Sequence, residues 1–207
     1  MRIRFPRLYA ISDSRAAGNR AHREIVRELL AGGARWVQIR AKDAPAGEFL
    51  AEVRACVDLA RPAGARVMVN DRPDIARLAR AAGVHLGGGD LPPGTARGVL
   101  APGSLVGVST HSEPEAVDLA PGADYVAIGP IFPSPTAKRD WSPLGLEVVR
   151  RLRGRLPVPL VAIGGIRLED AAAVLEAGAD AIAVISDLYR GETIRGRVAE
   201  FLRRLGG

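Results

Sequence analysis

The sequence predicts an α/β fold, a single (β/α)8 barrel of the TIM type over residues 1–207, and three observations carry that reading. Eight short β-rich runs recur, each followed by a polar or Gly-rich turn and then a helical stretch. They are Leu8–Ser12, Trp36–Arg40, Val67–Asn70, Gly83–Leu86, Leu105–Ser109, Tyr125–Ile128, Leu160–Ile163 and Ala181–Ile185. Strands alternating with helices make parallel βαβ units. Next, four strands are entered through Gly33-Ala34, Gly83-Val84, Gly122-Ala123-Asp124 and Gly178-Ala179-Asp180, a repeated turn in which glycine closes the preceding helix. Finally, polar residues cluster after strands two, three, four, five, six and eight, and glycines after strand seven. A barrel spreads its chemistry over many strand ends in this way, whereas an open sheet gathers it at one switch point.

The helical stretches follow the same logic. Residues 21–31 place Ile25, Leu29 and Leu30 at helical spacing, residues 146–156 repeat the pattern, and Cys56 falls in a helical run at 51–60 as a small core residue. His22 reads as a helix-surface residue, and the Pro/Gly stretches at 92–103 and 129–143 read as loops. With 207 residues, close to the lower size of about 200 for this barrel, the connections must be short. A composition 47% apolar but only 4% aromatic suits aliphatic parallel strands under a layer of helices.

Composition also narrows the function. The net charge of +6 comes from 29 basic and 23 acidic residues, and only Lys42 and Lys138 among the basic ones are lysines. The arginines are scattered along helices with no basic run interleaved with aromatics, so no nucleic-acid partner is expected. A single cysteine excludes an internal disulfide and any multi-cysteine metal site. No signal-peptide region and no apolar run of membrane length is seen, which predicts a cytoplasmic protein with no membrane partner. A barrel this small could bury apolar helix surface by forming a homodimer.

Chemistry gathers at the strand ends. Alternation puts Gln38 and Arg40 on one face of strand two, with Lys42 just beyond. A planar Arg fork and a mobile Lys suit a polyphosphate, although Arg40 could instead satisfy loop carbonyls. Strand three ends in Asn70-Asp71 and strand four leads to Asp90 through Gly87-Gly88-Gly89. Two carboxylates on neighbouring strands could share one Mg2+, an oxygen-seeking ion that keeps waters and substrate phosphates in its shell. Their alternative roles are a helix cap before Pro73 for Asp71 and a turn before Pro92 for Asp90. After strand five, Ser109 takes a pocket position, Ser112 caps a helix with Glu115 at capping-box distance, and His111 is an acid/base, a substrate contact or part of the cap. The strand-six loop with Ser134, Thr136, Lys138 and Arg139 is long enough to act as a lid. Gly164-Gly165 after strand seven and Ser186 after strand eight sit where such barrels bind phosphate through backbone N–H groups.

Taken together, these stretches resemble the thiamine-phosphate synthase family over nearly the whole chain. The matching segments are Leu8-Tyr-Ala-Ile-Ser-Asp13, Val37-Gln-Ile-Arg-Ala-Lys-Asp43, Val69-Asn-Asp-Arg-Pro-Asp-Ile-Ala76, Gly83-Val-His-Leu-Gly87 with Asp90-Leu-Pro92, Gly107-Val-Ser-Thr-His111, Gly129-Pro-Ile-Phe-Pro133, Ala162-Ile-Gly-Gly-Ile166 and Gly178-Ala-Asp-Ala-Ile-Ala-Val-Ile-Ser186. The resemblance implies Mg2+-dependent condensation of hydroxymethylpyrimidine pyrophosphate with thiazole phosphate, both small phosphorylated molecules, through dissociative loss of pyrophosphate. By matched position it implies Gln38, Arg40, Lys42 and Asn70 on the pyrophosphate or pyrimidine, Asp71 and Asp90 on Mg2+, and Ser109 on the pyrophosphate. It places Ser134 and Thr136 near the thiazole phosphate, held by Gly165, Ile185 and Ser186. The chain departs from the family pattern at Ala41, at Gly88, and at Ala137, where the family carries a phosphate-contacting lysine and Lys138 follows one position later. A related family, thiazole tautomerase, shares the barrel but transfers a proton with a His at the place of His111. A barrel that binds a phosphate ligand without catalysis is the reading from a different class.

Overall fold

The computed structural model describes residues 5–134 and 141–206. Strands and helices alternate in chain order as β1 Leu8–Asp13, α1 His22–Ala31, β2 Trp36–Arg40, α2 Ala46–Ala60, β3 Arg66–Asn70, α3 Pro73–Leu78, β4 Gly83–Leu86 and α4 Pro93–Val99. The second half continues with β5 Leu105–Thr110, α5 Glu113–Leu119, β6 Tyr125–Ile128, α6 Gly145–Leu152, β7 Leu160–Ile163, α7 Ala171–Glu176, β8 Ala181–Val184 and α8 Ile194–Arg204. All strand pairs are parallel, and β1 pairs with β8 to close the barrel in the order β1 to β8. The sequence-based strand boundaries agree to within one residue.

Strand alternation divides the core in two. Leu8, Ala10, Val37, Ile39, Val67 and Val69 face outward and pack under the helices. Tyr9, Ile11, Trp36, Met68, Tyr125, Ala127 and Val161 fill the inside. Phe5 closes the N-terminal end of the barrel by stacking on Trp36 at 4.1 Å between ring centroids. Among the described residues the interior is therefore a solid plug, and the polar strand ends gather at the C-terminal mouth.

Two local expectations are corrected. His22 is buried, not on the surface, because it shares one helical face with Ile25, Val26 and Leu29, the spacing of a buried stripe; its Nδ1 lies 2.8 Å from Ser12 Oγ. The 92–103 stretch is not all loop. Pro93 opens α4 at a position where its missing N–H costs nothing, and Ala96 turns the short helix onto the barrel. Of the repeated glycine turns, Gly33 and Gly178 adopt positive φ as expected, whereas Gly83 lies within β4.

Candidate active site

β1 and β2 place Asp13 opposite Arg40 in register at the barrel mouth. Their side chains pair directly, with Asp13 almost fully buried. Asp13 is also held from behind: its backbone N–H donates to Tyr189 Oη at 3.0 Å, and Tyr189 donates to Ile11 O at 2.9 Å. A buried carboxylate that is both paired and hydrogen-bonded fixes a guanidinium far better than an exposed one. Arg40 is therefore aimed into the mouth, and the alternative of satisfying loop carbonyls is set aside. Lys42 is exposed, two residues on.

Across β3 and β4 the expected carboxylate pair is present. Asp71 has φ of +64°, a left-handed conformation uncommon outside glycine and tolerated by Asp, and its N–H donates to His85 O at 2.8 Å. It does not cap α3, whose N-cap position is Arg72. Asp90 accepts from Gly87 N at 2.6 Å, which folds the Gly87–Asp90 turn back toward the mouth. Burial first, and then the hydrogen bond and charge of Asp90, push the Asp71 carboxyl up to about 6, while Lys42 and Arg40 pull it back. Two facing carboxylates with cations nearby form an oxygen donor set that a small hard cation would neutralise. Among the described residues no cluster of three or more His, Cys, Asp or Glu forms, so any such ion would take its remaining ligands from water or substrate oxygens.

The other side of the mouth is a cavity of about 140 Å3 lined by Arg40, Ser109, His111, Ser134, Trp141, Gly164, Gly165, Ile185 and Ser186, with Gly129, Pro130 and Ile166 among its further walls. A second cavity, between the β1 and β2 loops, is lined by Asp13, Arg40, Lys42 and Asp43. Arg40 lines both and is their common wall. Ser109 Oγ lies 2.8 Å from His85 Nε2, so its hydroxyl is held at the end of β5. His111 directs Nδ1 to Gly129 O at 2.7 Å and lies 3.4 Å from Trp141 between ring centroids. Ser112 caps α5 as expected, accepting from Glu115 N at 3.3 Å, but the Glu115 carboxylate returns to His111 N at 2.6 Å and so steadies the histidine rather than the cap.

Gly164 and Gly165 carry positive φ of +96° and +69°. A Cβ on Gly165 would lie 2.5 Å from Pro133 O, and one on Gly164 would lie 2.6 Å from Pro130 Cα. The glycines thus admit the backbone of the strand-six loop, which is zipped to β7 through Ile131 N to Ile163 O at 2.9 Å and Phe132 N to Gly164 O at 3.0 Å. That contact, invisible to the sequence, brings Ser134 to the cavity beside Ser186. Asp187, buried beneath Ser186, accepts from Leu168 N at 3.2 Å and pairs with Arg197 at 2.6 Å, tying the β7 and β8 loops to α8.

The geometry therefore brings together Arg40, Ser109, His111, Ser134, Gly165, Ile185 and Ser186 around one cavity, and Arg40 also lies within electrostatic reach of the Asp71–Asp90 pair. Gln38 is buried one layer deeper, its Nε2 donating to Tyr9 Oη at 2.9 Å, and Asn70 is half-buried at the end of β3. Thr136, Ala137 and Lys138 lie outside the described residues. Sequence reasoning missed Asp13, Tyr189, Asp187 and Arg197, which position the site from behind, and the role of His85.

A family model described as thiamine monophosphate synthase matches residues 8–188. The chain is 43% identical over 180 residues to the thiamine-phosphate synthase of Moorella thermoacetica, covering 86% of each. It is 40% identical over 189 residues to that of Chloroflexus aurantiacus, covering 91% of this chain and 87% of the relative. A solved thiamine phosphate pyrophosphorylase from Pyrococcus furiosus superposes with a TM-score of 0.89 at 36% identity, covering 97% of this chain and 95% of that one. No helix among the described residues is long and apolar enough to cross a membrane. Fold, strand-end chemistry and relatives agree: the chain belongs to the thiamine monophosphate synthase family.

Proposed function

We propose that this chain condenses hydroxymethylpyrimidine pyrophosphate with thiazole phosphate to give thiamine phosphate and pyrophosphate. One observation carries the reading: Arg40 lines the cavity floored by Gly165 and Ser186 and also acts electrostatically on the Asp71–Asp90 carboxylate pair. Two anionic groups can bind at once, with the reacting centres between them, which a one-substrate site does not require.

In this reading Asp71 and Asp90 hold Mg2+, which when bound neutralises charge on the pyrophosphate and favours its departure. Arg40, pinned by Asp13, and Lys42 take further pyrophosphate oxygens, and Ser109 adds a hydroxyl donor. Gln38 and Asn70 orient the pyrimidine. Ser134 and the backbone from Gly165 to Ile166 and from Ile185 to Ser186 hold the thiazole phosphate, so that the ring nitrogen faces the carbon losing pyrophosphate. The resemblance assigns Thr136 to the same phosphate, and Lys138, one position after Ala137, is the cation available in sequence to replace the family lysine. No side-chain nucleophile is needed, because the incoming thiazole nitrogen is itself the nucleophile.

A second reading, proton transfer on a thiazole phosphate, is favoured by one observation. Gly129 O can only accept, so His111 Nδ1 carries the proton and Nε2 is left as a base at the cavity. Incubating the purified chain with both substrates separates the two. Thiamine phosphate and pyrophosphate formed with Mg2+ and lost with chelator support the synthase. Folded protein that forms neither, but isomerises a thiazole carboxylate phosphate without metal and loses this in His111→Ala, would replace it with the second reading.

A further inference from the structure

A chain of hydrogen bonds crosses the barrel interior below the mouth. Gln38 Nε2 donates to Tyr9 Oη at 2.9 Å, Tyr9 Oη lies 2.9 Å from Tyr125 Oη, Tyr125 Oη lies 2.9 Å from His85 Nδ1, and His85 Nε2 lies 2.8 Å from Ser109 Oγ. Five residues from β1, β2, β4, β5 and β6 are thus linked in one line, and Ser109 is its only end at the cavity.

The packing shows why the line can form. His85, Gly107 and Tyr125 are register partners on three neighbouring strands. A Cβ on Gly107 would sit 2.0 Å from Tyr125 Cζ, so the missing side chain lets the Tyr125 ring lie against His85, 5.5 Å between centroids and 21° between planes.

We propose that this line has one polarity, running from Gln38 to Ser109, and that it holds the Ser109 hydroxyl as a hydrogen-bond donor aimed at the anion in the mouth. The amide nitrogen of Gln38 and the nearby Trp36 indole have only protons to give, so among the described residues Tyr125 is the partner left to accept the Tyr9 proton. The Trp36 indole N–H, close to Tyr9 but outside hydrogen-bond geometry, adds a second positive field at the same oxygen. Tyr125 in turn donates to His85 Nδ1, which leaves the imidazole proton on Nε2 and directs it at Ser109 Oγ. Ser109 Oγ then accepts on its inner side, and its own proton turns outward to the cavity. The buried imidazole has a hydroxyl on each side and no hydrogen-bonded carboxylate among the described residues, so the ring carries one proton and its two nitrogens take opposite roles. The reverse order would turn the Ser109 proton inward and offer the departing pyrophosphate a lone pair, which repels it. His85, Tyr125 and Tyr9 are therefore positioning residues for Ser109. The assignment deepens the synthase reading and rests on it only for the identity of the anion.

The first test needs no turnover. Only three histidines occur in the chain, so the nitrogen-15 spectrum of histidine-labelled protein is assigned by His85→Gln. The expected result is a His85 with Nε2 protonated and Nδ1 bare, a pattern lost in Tyr125→Phe; a proton on Nδ1 overturns the polarity. The second is a double-mutant cycle. Tyr125→Phe should lower kcat by about tenfold, the scale of one hydrogen bond, with little change in KM for the thiazole phosphate, and should have less than about a twofold effect (on the same scale) in Ser109→Ala. Equal losses in both backgrounds would mean that Tyr125 acts on folding and not through Ser109. If the wild-type chain forms no thiamine phosphate, the synthase reading fails while the spectrum still decides the polarity.

Discussion

Replacing Gly165 with alanine tests the contact that builds the phosphate cavity. The residue sits at φ +69°, where a Cβ costs about 1 kcal/mol against the preceding backbone. The new methyl would also lie 2.5 Å from Pro133 O and 2.7 Å from Phe132 O, both backbone atoms that cannot swing aside. Restoring ordinary contact requires the strand-six loop to retreat by roughly 1 Å, and overpacking of this kind costs about 1–3 kcal/mol. Gly165→Ala should therefore lose about 2–4 kcal/mol in urea unfolding. A loop shift of that size should also lower kcat/KM for the thiazole phosphate by about a hundredfold. Gly154 supplies the control: its φ is +73°, but a Cβ there meets nothing within 4 Å, so Gly154→Ala should lose only about the 1 kcal/mol of backbone strain. Equal stability losses in the two variants would refute the close approach of the β6 and β7 loops.

Two further predictions concern protons. Asp71 must ionise to bind a cation, and its carboxyl is pushed up to about 6 by burial and by Asp90. An acid so raised is favoured by acid: the metal-free protein should lose stability as pH rises from 3.8 to 6, and Mg2+ should restore it. Mg2+ affinity measured by calorimetry should be flat above pH 6 and fall about tenfold per pH unit below it; affinity independent of pH between 5 and 7.5 would take Asp71 out of the ion's shell. For His85 the sign is opposite. A base lowered from 6.5 to about 4 stabilises the fold fully above pH 6.5, and that stability is lost as pH falls toward 4. The gap corresponds to about 3 kcal/mol, so urea midpoints of the wild type should fall more steeply over that window than those of His85→Asn, and parallel curves would contradict it.

Much of the fold was legible because barrel strands are short and bounded by recognisable turns. Strand alternation alone placed Gln38 and Arg40 on the inner face, and the strand-end position of Asp71, Asp90, Ser109, Gly165 and Ser186 was enough to collect them at one mouth. What failed locally failed for identifiable reasons. His22 was hidden because a polar residue stood on an apolar stripe, where its Ser12 partner ten residues earlier satisfies it. The helix at Pro93–Val99 was hidden by Gly94, Gly98 and Pro93, of which the first turn accommodates the proline.

The residues that support the site were not legible from motifs, since their partners are distant in the chain and near only through register. Asp13 and Arg40 are separated by 26 intervening positions but are directly opposite in the β1–β2 ladder. His85 and Tyr125 meet only because Gly107 stands between them in the β4–β5–β6 ladder and carries no side chain. A slip of one residue in either pairing would turn Asp13 or His85 to the opposite face and leave Arg40 or Ser109 without its support. The chemistry at the mouth thus depends on closure of the whole barrel. β1 must pair with β8 as well as with β2, because Tyr189, which holds Asp13, arrives from the loop after β8. A substitution that loosens the β1–β8 seam should therefore free Arg40 before it unfolds the chain.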